Sequence, residues 1–109
     1  MGSSKYGAIG VWDGPLYFPS KMEHKRYCEL KLMLAGGIIK DLEIHPSYNV
    51  IINGRKCCRV ELDFKYYDNE KKCVINEDVK GFDTPISKLK RKLVQASYPE
   101  MIVNVLTAK

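Results

Sequence analysis

"CVINEDVKGF", residues 73–82, alternates as a strand does. Val74, Asn76, Asp78 and Lys80 fall on one face, and Cys73, Ile75, Glu77 and Val79 on the other. Asp78 and Lys80 therefore point the same way, about 6.6 Å apart at their Cα atoms. Gly81 ends the run. Whether this strand is central or peripheral sets the architecture around it, and its neighbours in sequence give the answer.

Upstream, "YNVII" is joined to "KCCRVELDFKYY" through Asn53-Gly54-Arg55, and Asn-Gly is a strong hairpin signal. Asp68-Asn69-Glu70 marks a second turn before "KKCVINEDVK". These segments are expected to form a three-stranded antiparallel meander. In the middle strand Val60, Leu62, Phe64 and Tyr66 line one face, and Arg59, Glu61, Asp63, Lys65 and Tyr67 the other. That register makes Asp63 and Asp78 cross-strand or diagonal neighbours.

Before the meander, Ser20 lies three residues ahead of Glu23, a capping-box spacing, and helical periodicity runs to about Ala35. Gly36-Gly37 end that helix. "AIGVWDGPLYFPS" holds an Asp13-Gly14 turn between short apolar runs and reads as a hairpin. Its Trp12 and Tyr17 are expected to pack as a lid on the core, with a dimer contact as the other option.

Downstream, residues 81 to 85 break the chain. Pro85 suits a first helical position, and Ile86, Leu89, Leu93 and Ala96 recur at helical spacing. Tyr98-Pro99 stop this helix. "MIVNVL" reads as a last, buried strand, parallel to a meander strand because a helix crossover separates them. The expected order is hairpin, helix, three strands, helix, strand. This is an α/β layer with a mixed central sheet.

The 109 residues fit one small domain, with residues 1–5 disordered or tag-derived. A net charge of +5 and a pI near 9.0 are compatible with a polyanionic partner. No apolar run approaches the roughly 18 residues of a membrane span, and no signal-peptide core is visible. Tyr6 stands where a myristoylation signal needs Ser or Thr. Cys28, Cys57, Cys58 and Cys73 lack both disulfide-framework and zinc-knuckle spacing, so they are read as reduced thiols of a cytosolic protein.

Two close carboxylates repel unless something positive lies between them. A divalent cation meets that need, and hard cations such as Mg²⁺ take oxygen ligands. An adjacent lysine can bind phosphate. The bland alternative is a solvated face carrying ordinary ion pairs. Glu23 shares a helical stripe with Tyr27, Leu30 and Leu34, so either its carboxylate meets a partner in the interior or it caps Ser20. His24 reads as a solvated helix residue and His45 as a loop residue before Pro46. Neither pairs with an obvious nucleophile.

A helical glutamate, an aspartate on the second meander strand and an acid-x-Lys on the third resemble the PD-(D/E)XK nuclease superfamily. Its α-β-β-β-α-β core matches the order above. "FPSKMEHKRYCELKLMLAGGIIKDLEIHPSY", "LDFKYYD" and "NEDVKGF" are similar to a family of small phage proteins placed in that superfamily, over roughly residues 6–106. The resemblance implies that Asp63 and Asp78 bind the metal with the Val79 carbonyl. It also implies that Lys80 orients or activates water and that Glu23 supplies the helical acid. Leu62 before Asp63, where Pro is common, and Asp rather than Glu at position 78 depart from the superfamily's usual pattern. Glu61 and Glu77 are rival ligands.

The implied activity is Mg²⁺- or Mn²⁺-dependent DNA hydrolysis, selective for branched or junction DNA, in the cytoplasm of a phage-infected bacterium. Lys21, Lys25, Arg26, Lys88, Lys92 and Gln95 are candidate DNA contacts, with Lys71-Lys72 as a further basic turn. A homodimer would suit paired nicks in a junction. A non-catalytic nucleic-acid-binding protein and a small adaptor are the other functions this sequence admits.

Overall fold

A computed structural model describes residues 10–107, so the expectation for residues 1–5 falls outside the described residues. Two short strands come first, β1 (Val11–Asp13) and β2 (Leu16–Phe18), followed by the helix α1 (Lys21–Ala35). Then come β3 (Ile39–Ile44), β4 (Ser47–Ile52), β5 (Arg55–Glu61), β6 (Phe64–Asp68) and β7 (Cys73–Lys80). The helix α2 (Pro85–Ser97) and the strand β8 (Ile102–Thr107) follow. The result is an α/β fold whose main sheet has the order β3-β6-β7-β8. β3, β6 and β7 run antiparallel, and β8 joins β7 in parallel, as the helical crossover demanded, although β8 is an edge strand with Ile102 and Val105 exposed rather than the buried strand expected.

Two expectations need correction. The meander is β3-β6-β7, and its first strand is the "IKDLEI" segment after α1 rather than "YNVII". The long middle strand is broken at Leu62-Asp63. Its first half, β5, pairs with β4 in a separate two-stranded sheet. At the break the Leu62 amide donates to the Pro46 carbonyl and the Asp63 amide to the Glu77 carbonyl. The chain thus passes from one sheet to the other within two residues.

The alternation that suggested one buried face serves two cores. Val60 and Leu62 pack with Tyr48, Val50, Val94 and Met101 on the α2 side. Phe64 and Tyr66 pack with Phe18, Leu30, Ile39 and Ile75 on the α1 side. Fully burying a side chain such as Phe18, Leu30 or Phe64 contributes roughly 1.5–3 kcal/mol.

Local chemistry sets the boundaries. The Ser20 hydroxyl accepts from the Glu23 amide at 3.1 Å and starts α1. The helix ends in a Schellman motif: Gly37 adopts φ +76°, its amide donates to Leu34 and the Ile38 amide donates to Met33. The Thr84 hydroxyl caps α2 ahead of Pro85. Asn53 and Gly54 have φ of 52° and 77°, as a type I′ turn requires between β4 and β5. β3 carries a bulge between Lys40 and Glu43, where Asp41 takes a left-handed φ of 56°.

Two further expectations change. Trp12 and Tyr17 do not lid the core. They are 69% and 45% exposed and pack on each other at 5.0 Å, while Phe18 enters the core. On α2 the residue sunk deepest is Val94, whereas Ile86 and Leu89 are exposed. No helix among the described residues is long and apolar enough to cross a membrane. All four cysteines are free thiols.

Candidate metal centre

Phe64 pairs with Glu77, so Asp63, one residue earlier, falls opposite Asp78. The two carboxyls repel each other through charge. Glu23 reaches the same place from the first turn of α1. Its amide completes half of a capping box, but its side chain does not return to the cap. It is only 4% exposed and meets His45 Nε2 at 2.9 Å. Ligand atoms from Glu23, His45 and Asp63 all lie within 4.8 Å of one another.

His45 holds its place through an unusual backbone. Its φ is 56°, a region non-glycine residues seldom occupy, and its amide donates to the Asp63 carbonyl at 2.9 Å. The bend between β3 and β4 therefore delivers the imidazole to the acids. Reading His45 as a bland loop residue is corrected by this contact. The only sequence cue was a histidine before a proline, at a position whose turn had no recognisable signature.

The electrostatics follow from crowding. Burial pushes the Asp63 carboxyl up to about 7, the nearby Glu23 and Asp78 charges push the same way, and the Val79 amide at 2.6 Å from Oδ2 opposes them. Burial also raises Glu23, against the stabilising His45 contact, with Asp78 and Glu61 adding repulsion. Without a cation Asp63 therefore holds its proton close to neutrality, as a buried carboxyl crowded by other acids does.

Asp78 is 5% exposed. Lys80 Nζ stands 3.7 Å from its Oδ2 and Arg91 Nη1 3.3 Å away. Arg91 reaches over from α2 and is anchored by a bidentate pair with Asp83, which raises the guanidinium and lowers the Asp83 carboxyl. Arg91 was hidden in the basic run "SKLKRKL", where only a known site next door could single it out. At Val79 the backbone group seen at the cluster is the amide, donating to Asp63.

The rival acids divide. Glu77 points to the α1 face, where it accepts from Arg26 Nε and Nη2 at 2.8 and 2.6 Å and from the Tyr66 hydroxyl at 2.6 Å. Glu61 is exposed and acts on Glu23 through charge. Among the candidate DNA contacts, Lys21, Lys25, Lys88 and Lys92 are not buried. Arg26 and Gln95 have partners within the chain. Arg26 is consumed by Glu77 and Glu29, and Gln95 ties Met101 and Val103 at the start of β8. His24 is likewise no solvated bystander: its Nε2 meets Asp13 at 3.0 Å and Cys28 Sγ at 3.7 Å, forming a second group of possible ligands.

Among the described residues, two clusters could hold a divalent ion. No curated protein and no solved structure matches it. A family model described as "Protein of unknown function (DUF1064)" matches residues 3–108, nearly the whole length, and the chain belongs to that family.

Proposed function

We propose that this chain is a single-domain, Mg²⁺- or Mn²⁺-dependent DNA endonuclease on a PD-(D/E)XK-type core, selective for branched or junction DNA and serving phage recombination or replication. The observation that carries the proposal is the convergence of Glu23, His45 and Asp63 within 4.8 Å, beside Asp78 and Lys80. The core order α1-β3-β6-β7-α2-β8 supports it as well.

The donor set fits the ion. Carboxylate oxygens suit Mg²⁺, and a set that adds an imidazole nitrogen suits Mn²⁺. A bound ion would supply Lewis acidity at the scissile phosphate. Glu23, Asp63 and Asp78 would hold it, with the Val79 carbonyl as the backbone ligand the family resemblance implies. His45 positions Glu23 through its 2.9 Å contact. Lys80 offsets charge on the scissile phosphate, and Arg91 orients Asp78. Lys21, Lys25, Lys88 and Lys92 carry the phosphate backbone.

One observation favours a second reading, a non-catalytic nucleic-acid-binding protein. Oδ2 of Asp78 already faces two cations, Lys80 and Arg91, and so has less need of a metal.

The deciding experiment is a cleavage assay with Mg²⁺ or Mn²⁺ on linear, single-stranded, flap and four-way DNA. Cleavage by the wild type that is lost in Asp78→Ala and Lys80→Ala, with binding retained, supports the nuclease. Binding without cleavage on every substrate supports the second reading. Equal cleavage by wild type and variants rejects the site.

A further inference from the structure

The second cluster shares no residue with the acid cluster, and a histidine of each packs near Phe18. The Phe18 ring, fully buried, packs against His24 at 5.4 Å and against His45 at 6.4 Å between centroids. His24 and Cys28 are four residues apart on α1, so both project from one helical face. Asp13 comes from the last position of β1. The hairpin and the helix thus present an imidazole, a thiol and a carboxylate to one point, all within 4.8 Å.

The His24–Asp13 distance suits a hydrogen bond, but the Cys28 contact does not, and the three donors together are close to the spacing an ion needs. His24 Nε2 faces both Asp13 Oδ2 at 3.0 Å and Cys28 Sγ at 3.7 Å. One ring nitrogen has a single in-plane position for a proton or a lone pair, so it satisfies only one of these partners well. A tetrahedral zinc-type centre with ordinary Zn–N, Zn–S and Zn–O bonds places N and S about 3.6 Å apart and N and O about 3.4 Å apart. The sulfur is already at that separation, and the carboxylate needs to withdraw by only about 0.4 Å. Cys28 is exposed and Asp13 and His24 are each partly exposed, leaving the fourth position open to water.

We infer that Asp13, His24 and Cys28 form a site for a borderline transition-metal cation of the Zn²⁺ class, which clamps the β1–β2 hairpin onto α1. A thiolate–imidazole–carboxylate set selects such ions over Mg²⁺, so this site and the acid cluster take different metals. On binding, the Cys28 thiol proton passes to solvent and sulfur donates to the metal as thiolate. The inference is independent of nuclease activity.

The test uses Co²⁺ as a spectroscopic probe and Zn²⁺ for stability, on the full chain. Wild-type protein is expected to give a sulfur-to-cobalt charge-transfer band, and Zn²⁺ is expected to raise its melting temperature. Cys28→Ser is expected to lose the band, to bind Co²⁺ about tenfold or more weakly, and to lose most of the Zn²⁺ shift. The same losses are expected for Asp13→Asn in part, while Asp63→Asn keeps both signals. Absence of the band in wild type, or its persistence in Cys28→Ser through one of the other thiols, overturns the assignment. Loss of both signals in Asp63→Asn also overturns it, because the metal would then sit at the acid cluster.

Discussion

Individual acids in this chain are held where they repel. Asp63 sits near 7 in the folded chain against 3.8 when unperturbed, chiefly through burial. A carboxyl raised on folding favours the folded state at low pH and loses that benefit as pH rises through its folded value. Metal-free protein is therefore expected to gain roughly 1–3 kcal/mol of stability between pH 8 and pH 5, and Asp63→Asn to flatten the trend. Urea unfolding across pH in the presence of a chelator measures both. A flat wild-type profile would show that Asp63 is not buried among charges. The opposite face offers a contrast. Glu77 is 2% exposed and its charge is answered by Arg26 and Tyr66. Arg26→Leu leaves that carboxylate buried and without its cation, and is expected to cost about 3–5 kcal/mol in the same assay. A cost under about 1 kcal/mol would mean that water reaches Glu77.

Among the elements, α1, α2 and the parallel β8 were legible because each carries its own punctuation: Ser20, Gly37, Pro85 and Tyr98-Pro99. Asn53-Gly54 likewise announced its turn. The break in "RVELDFKYY" was not legible. Val60, Leu62, Phe64 and Tyr66 keep perfect alternation across it, and period-two patterning reports burial without saying which core does the burying. β3 was hidden by its bulge, since Asp41 disrupts the alternation. The site was half legible for the same reason. Asp63, Asp78 and Lys80 were reachable from strand register, but His45 and Arg91 arrive from a bend and from a charged helix that no periodicity marks. Ser20→Ala removes the cap that sets Glu23 at the first turn. It is expected to cost about 0.5–2 kcal/mol, read by urea unfolding, and to weaken metal binding at the acid cluster. Unchanged metal affinity would show that His45 alone positions Glu23.

Across the molecule as a whole, the proposed DNA surface is made of lysines that the fold leaves in solvent. Lys88→Glu with Lys92→Glu is expected to weaken DNA binding and to flatten its dependence on log salt by about 1 for each phosphate no longer neutralised. Binding titrations between low and physiological salt measure this, and an unchanged slope would move the DNA surface elsewhere. A homodimer is the proposed assembly. Phe82, Ile86 and Leu89, at 81%, 61% and 52% exposure, are the apolar residues at the start of α2 that such an assembly would cover. Sedimentation equilibrium is expected to give two chains for wild type and one for Ile86→Glu/Leu89→Glu. A monomeric wild type would remove the paired-nick idea while leaving the centre intact.

The nuclease proposal stands or falls on whether the acids at positions 23, 63 and 78 jointly hold one kind of hard divalent ion. An Mn²⁺ binding isotherm at pH 8 reads this without any substrate, in a Cys28→Ser background that silences the thiol-containing cluster. Saturable binding that falls about tenfold or more in each of Glu23→Gln, Asp63→Asn and Asp78→Asn is the expected result. Mn²⁺ binding that is absent, or indifferent to all three substitutions, would contradict it.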